Sequence, residues 1–158
     1  MLKMENKTIA EMRHEVIEHT IELENFLDEL IMLSFGMEMD INRDYRKYNE
    51  ITSVFEKHFL SKSSISRKFE VVKEIIRDKR RKELPKSFGS DIKEFIEIRN
   101  LFAHQLFPII EEDMCSIKKE MVQMDKDKFE KKYATHSKLY KKLVDFIFGV
   151  FYKKIDDN

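Results

Sequence analysis

Glu94–Pro108 reads EFIEIRNLFAHQLFP, and how this stretch is interpreted decides the fold. Hydrophobic side chains recur through it at the three- and four-residue spacing of an amphipathic helix. A helix turns by about 100° per residue, so Ile92, Phe95, Ile96, Phe102, Ala103 and Leu106 all fall within about 60° of Arg99. Glu94 and Glu97 fall on the opposite side. Arg99 therefore stands near the middle of an apolar arc. A guanidinium cannot shed its proton there, so burial without a partner is costly. An acidic partner would resolve the conflict, as would a groove or subunit seam opening onto this face. Asn100 and His104 are four apart and share a helix edge. Arg99 and His104 are five apart, about 140° around a regular helix.

The surrounding sequence favours more helices. The chain has 158 residues, 42% hydrophobic and 38% charged, with only three glycines and two prolines. That composition suits a folded, highly charged helical protein with few tight turns. Thr8 and Glu11, in TIAE, have capping-box spacing. A helix is expected from there to Gly36, carrying Ile9, Met12, Val16, Leu23, Leu27 and Leu30. Val54, Phe55, Phe59 and Leu60 mark a shorter helix, and the serine-rich SKSSISRK interrupts it. Phe69, Val72, Ile75 and Ile76 form another stripe, broken by KELPKSFGS.

The helix holding Arg99 is expected to begin at Ser90 as N-cap, with Asp91 in its first turn, and to run through His104. Pro108 limits its extension. Between Leu106 and Gln123 the pattern weakens, and LFPII with CSIKKEMVQ suggests a small hairpin. Asp127 and Glu130 have cap spacing again. The last helix carries Leu139, Leu143, Ile147, Val150 and Phe151. The expected fold is an all-α bundle of four or five helices, with a small hairpin inserted before the last. No linker or repeat divides it, so residues 1–158 read as one domain.

Lysine plus arginine and aspartate plus glutamate both number 30, so the net charge is zero. No large basic field for duplex binding is indicated. A local patch, such as Lys79, Arg80, Arg81 and Lys82, reads first as a solvated helix end. Lys141 and Lys142 read either as a contribution to RNA binding or as the wet side of a helix. The N-terminal MLKMENKTIAEM is charged with no apolar run behind it, and no stretch approaches a membrane span. A cytoplasmic location without membrane association is expected. Cys115 stands alone and reads as an inert thiol. HEVIEH, His14–His19, misses the zinc-binding HExxH spacing, because Glu18 occupies the second histidine position. His58 and His136 read as surface or satisfied core residues. No metal site and no cofactor is expected.

Arginine with histidine suggests phosphodiester chemistry. Histidine can take and return a proton near neutral pH, and arginine matches phosphate oxygens bidentately. The same pattern also suits a structural arginine paired with a buried acid. The segment IRNLFAHQ resembles the signature of the HEPN superfamily (higher eukaryotes and prokaryotes nucleotide-binding domains). In that signature an arginine, usually followed by a polar residue, is separated from a histidine by four to six intervening residues. Arg99, Asn100 and His104 match it, with four residues between Arg99 and His104.

The resemblance implies a compact helical domain and a metal-independent endoribonuclease. Arg99 and His104 would be catalytic and Asn100 would support them. Cleavage would leave a 2′,3′-cyclic phosphate. It further implies a homodimer with the two Arg99/His104 helices at or near the interface. RNA would be the substrate, in a toxin–antitoxin or phage-defence setting. An antitoxin such as a small nucleotidyltransferase is the implied partner. Other members of the superfamily are non-catalytic protein-interaction or RNA-binding modules, and the short signature does not separate the two.

Overall fold

The computed structural model describes residues 7–36, 45–79, 82–105, 107–108, 114–117, 120–123 and 126–152. It shows an all-α, five-helix bundle: α1 Ile9–Gly36, α2 Tyr45–His58, α3 Ile65–Glu74, α4 Phe88–Asn100 and α5 Lys126–Tyr152. Three short strands stand between α4 and α5: β1 Phe107–Pro108, β2 Met114–Ile117 and β3 Glu120–Gln123. They pair antiparallel in chain order, with Pro108 opposite Cys115 and Ile117 opposite Glu120. The expected hairpin is thus a three-stranded ribbon, and its hairpin proper lies within CSIKKEMVQ. Pro108 has no N–H to give a ladder, and β1 is an edge strand, where proline is tolerated.

The long first helix has a local cause. Thr8 N donates to Glu11 Oε2 at 2.7 Å, and Glu11 N donates to Thr8 Oγ1 at 3.2 Å, a reciprocal capping box. From there α1 runs 28 residues without a break. Its buried hydroxyls, Thr20 and Ser34, satisfy themselves on the carbonyls of Val16 and Leu30. Three serines of the interruption bond to the backbone around them. Ser61 and Ser63 bond back to Lys57 and Phe59 carbonyls, and the Ser64 hydroxyl accepts from Arg67 N as the N-cap of α3.

Two helix starts differ from expectation. α4 begins at Phe88, with Ser87 as its N-cap, so Ser90 is the third helical residue. The Ser90 hydroxyl instead donates to the Ser87 carbonyl at 2.8 Å. Asp91 does lie in the first turn, where it accepts a 2.8 Å hydrogen bond from the Ser87 hydroxyl. Likewise α5 begins at Lys126, which puts Asp127 inside the first turn. A carboxylate there is favoured by the helix dipole without being the cap.

Packing divides into two compact units. One takes in Met1–Ile21 and Ser87–Val144. Its core includes Met12 and Val16 of α1, Phe88, Ile92, Phe95 and Ile98 of α4, and Phe129, Leu139 and Leu143 of α5. Phe102 meets Phe129 edge-on at 5.8 Å, a favoured aromatic geometry. Lys7, just before α1, is held by Glu15 at 2.6 Å and by the Tyr133 hydroxyl at 2.9 Å.

The other unit takes in Glu22–Lys86 and Asp145–Asn158. Leu23, Leu27, Leu30 and Ile31 of α1 are buried in it, with Phe69 and Val72 of α3 and Ile147 of α5. Lys68 is buried there too, at 3% exposure. It bonds Glu24 at 2.9 Å and Asp28 at 2.8 Å. Burial pushes the Lys68 ammonium down, but the hydrogen bonds it donates to Asp28 and Glu24 together outweigh that and hold it above its ordinary value. Burial also leaves Asp28 raised, because the Lys68 bond only partly offsets it. α1 and α5 each contribute to both units as continuous helices.

Candidate functional site

Arg99 and Asn100 close α4, and both are half-buried. The position of Arg99 differs from the wheel drawn on sequence alone. Ile98 is buried at 2% exposure, whereas Ile96 and Ala103 are only half-buried. The buried arc is set by Phe88, Ile92, Phe95, Ile98 and Phe102, and its centre falls about 40° from Arg99. Arg99 therefore lies on the shoulder of the core, not in its middle. The guanidinium reaches its neighbour: Nη1 donates to Asn100 Oδ1 at 3.0 Å. That bond orients the Asn100 amide and leaves the other guanidinium N–H groups directed elsewhere.

Immediately beyond Asn100 the helix changes pitch. Leu101–Gln105 forms a π-helical turn, and this turn contains His104. With i→i+5 bonding, a turn takes in more residues, so each residue rotates the chain by less than in an α-helix. The change draws positions five apart closer to one face. It therefore narrows the Arg99–His104 separation that a regular helix would impose. The His104 side chain lies outside the described residues. π-turns are rare and recur at functional sites. A second one, Ile75–Lys79, follows α3.

One groove on α4 does not have Arg99 in its lining. A cleft of about 350 Å³ is lined by Ser90, Lys93, Glu94, Glu97, Ile98 and Leu101, with Lys132 of α5. It occupies the outer face, where the wheel places Glu94 and Glu97. Its charge is mixed, and Lys93 stands 3.9 Å from Glu97. Phosphate would find no concentrated positive field there.

The other side chains singled out from sequence have settings of their own. His14 is exposed and pairs with Glu18 at 3.1 Å, while His19 turns into a stack of rings, so HEVIEH does not converge on one point. No group of three or more metal-ligating side chains gathers among the described residues. Lys142 is tied down, 2.7 Å from Asp91 at the start of α4. Lys141 and His58 are exposed. Lys79 and Lys82 are exposed too, while Arg80, Arg81 and the Cys115 side chain lie outside the described residues.

His136 is a core residue, but not a satisfied one. It is fully buried, and neither ring nitrogen has a hydrogen-bond partner among the described residues. Its position in the stripe with Leu139, Leu143 and Ile147 could have revealed it as a polar ring on an apolar face. Lys68, in line with Ile65, Phe69 and Val72, carried the same signal. Among the described residues, no helix is long and apolar enough to cross a membrane. No family model, curated protein or solved structure matches the chain. The resemblance of IRNLFAHQ thus rests on its own residues alone.

Proposed function

We propose that the chain is a metal-independent endoribonuclease of HEPN type, with Arg99, Asn100 and His104 as its active residues. One observation supports this most: a half-exposed arginine, hydrogen-bonded to Asn100, directly precedes a π-turn that contains the histidine. The 2′-hydroxyl of RNA is the nucleophile. His104 takes its proton as the 2′-oxygen attacks phosphorus, and the bond to the 5′-oxygen breaks. The 5′-oxygen takes up a proton from solvent as it leaves, and a 2′,3′-cyclic phosphate and a 5′-hydroxyl result. Arg99 binds the phosphate oxygens as charge develops on them. Asn100 holds the guanidinium in place. In this reading the protein works in the cytoplasm as a homodimer, with the two Arg99/His104 helices at the interface. A toxin–antitoxin or phage-defence role is part of the proposal, and a small nucleotidyltransferase is the kind of antitoxin it suggests.

The test is cleavage of an end-labelled RNA pool in EDTA, wild type beside His104→Ala, with product ends mapped. Cyclic-phosphate ends that vanish in the variant are the expected result. Equal cleavage by both proteins would remove His104 from the reaction.

A second reading, a non-catalytic protein-interaction module, draws on the unit built around α2 and α3. Leu33, Phe35, Val54 and Phe59 are all more than 40% exposed there, and Phe55 stacks on Phe59 and meets Phe35 at a tilt. Exposed apolar clusters of this kind mark interaction surfaces. That reading expects no cleavage from either protein on any RNA, tRNA included.

A further inference from the structure

Four near-parallel rings run through the unit that contains α4. Phe95 of α4 lies 4.4 Å from His136 of α5, His136 lies 6.1 Å from His19 of α1, and His19 lies 4.3 Å from Tyr140 of α5. His136 sits at the meeting of three helices, with no exposure at all. Neither of its nitrogens finds a partner, and His19 Nδ1 is likewise buried without one. A buried, unbonded imidazole is costly even when neutral, and a buried imidazolium far more so. The titratable groups set against His136 are His19 from α1 and, beyond it, Tyr140 from its own helix. α4 presents Phe95, which carries no charge and can offer a proton nothing. Phe95 stands one helical turn before Arg99, on the same helix.

We propose that His136 is a proton-operated latch: neutral, it lets α1, α4 and α5 pack together, and protonated, it forces open the packing around α4. The packed state excludes the proton. Burial, with His19 adding to it, pushes the imidazole from its ordinary 6.5 down to about 3. A base held neutral in the packed state takes up its proton only on opening. Opening is therefore favoured tenfold for each pH unit below 6.5, until about pH 3 is reached. Above 6.5 the latch contributes no pH dependence. Because α4 carries Arg99 and Asn100, the same opening disorganises the candidate site under mild acid. The latch itself does not depend on the ribonuclease reading.

Hydrogen exchange on the intact chain tests it, with protection factors corrected for intrinsic rates at pH 7 and pH 5. In wild type, amides of α4 should lose about 30-fold protection between these values, while those of α3 in the other unit keep theirs. His136→Phe, which keeps a ring against Phe95, should abolish the loss in α4. Unchanged protection of α4 in wild type would overturn the latch. So would an equal loss in His136→Phe, or a loss in α3 as large as that in α4. Ring-nitrogen NMR of wild type needs no variant. One of the five histidines should stay neutral down to pH 5. If all of them titrate near 6.5, the latch is overturned. Neither measurement involves RNA, so its outcome is separate from that of the cleavage assay.

Discussion

Arg99 is the residue on which the functional reading depends, and its half-burial separates two roles. A fully buried guanidinium paired with an acid would be structural, and its removal would cost a few kcal/mol. In the ribonuclease reading the half-buried Arg99, bonded to Asn100, serves the substrate more than the packing. Arg99→Ala is therefore expected to abolish RNA cleavage while shifting the urea midpoint by less than about 1 kcal/mol in equivalent stability. Activity assayed beside an unfolding curve checks both parts. Lys68 is the contrasting case. It is nearly fully buried and joins two carboxylates of α1. Lys68→Met keeps the stem's packing but leaves Glu24 and Asp28 unpaired. A loss of about 2–4 kcal/mol is expected, discounted because both carboxylates reach solvent. Urea unfolding reads it. In sequence both cations look alike, since each falls on an apolar stripe. What distinguishes them is the position of neighbours such as Ile98 and Asp28, and those positions come from packing.

At the level of single elements, the helix starts were the most legible features, and only some of them. The Thr8–Glu11 pair acts across one turn, so its spacing alone announces it. Thr8→Ala should lower stability by about 1 kcal/mol, seen as a lower thermal midpoint with unchanged helix content. Ser90 had the same local credentials, yet Ser87 is the cap. The choice between them is made by Phe88, which is buried in the core and takes its place in the helix. Nothing in the letters LFAHQ announces a π-turn over Leu101–Gln105.

For the whole molecule, the ribonuclease reading carries a statement about mass. A dimer with paired Arg99/His104 helices would weigh about twice the 19.2 kDa of the chain, and light scattering measures it directly. A monomer that still cleaves RNA would confine the active site to one chain. The all-α class was legible throughout, from helical periodicity, scarce glycine and proline, and a single weakly patterned stretch where the strands stand. The division into two compact units was not, because no linker marks it: α1 and α5 run through it as continuous helices. By itself the sequence determined where helices form and which faces are apolar, since caps and periodicity act within a turn or two of chain. Tertiary structure alone decided that Arg99 stands at the shoulder of the core, that the helix widens at His104, and that His136 is left without a hydrogen-bond partner among the described residues. Each of these depends on side chains distant in sequence, whose packing no local pattern records.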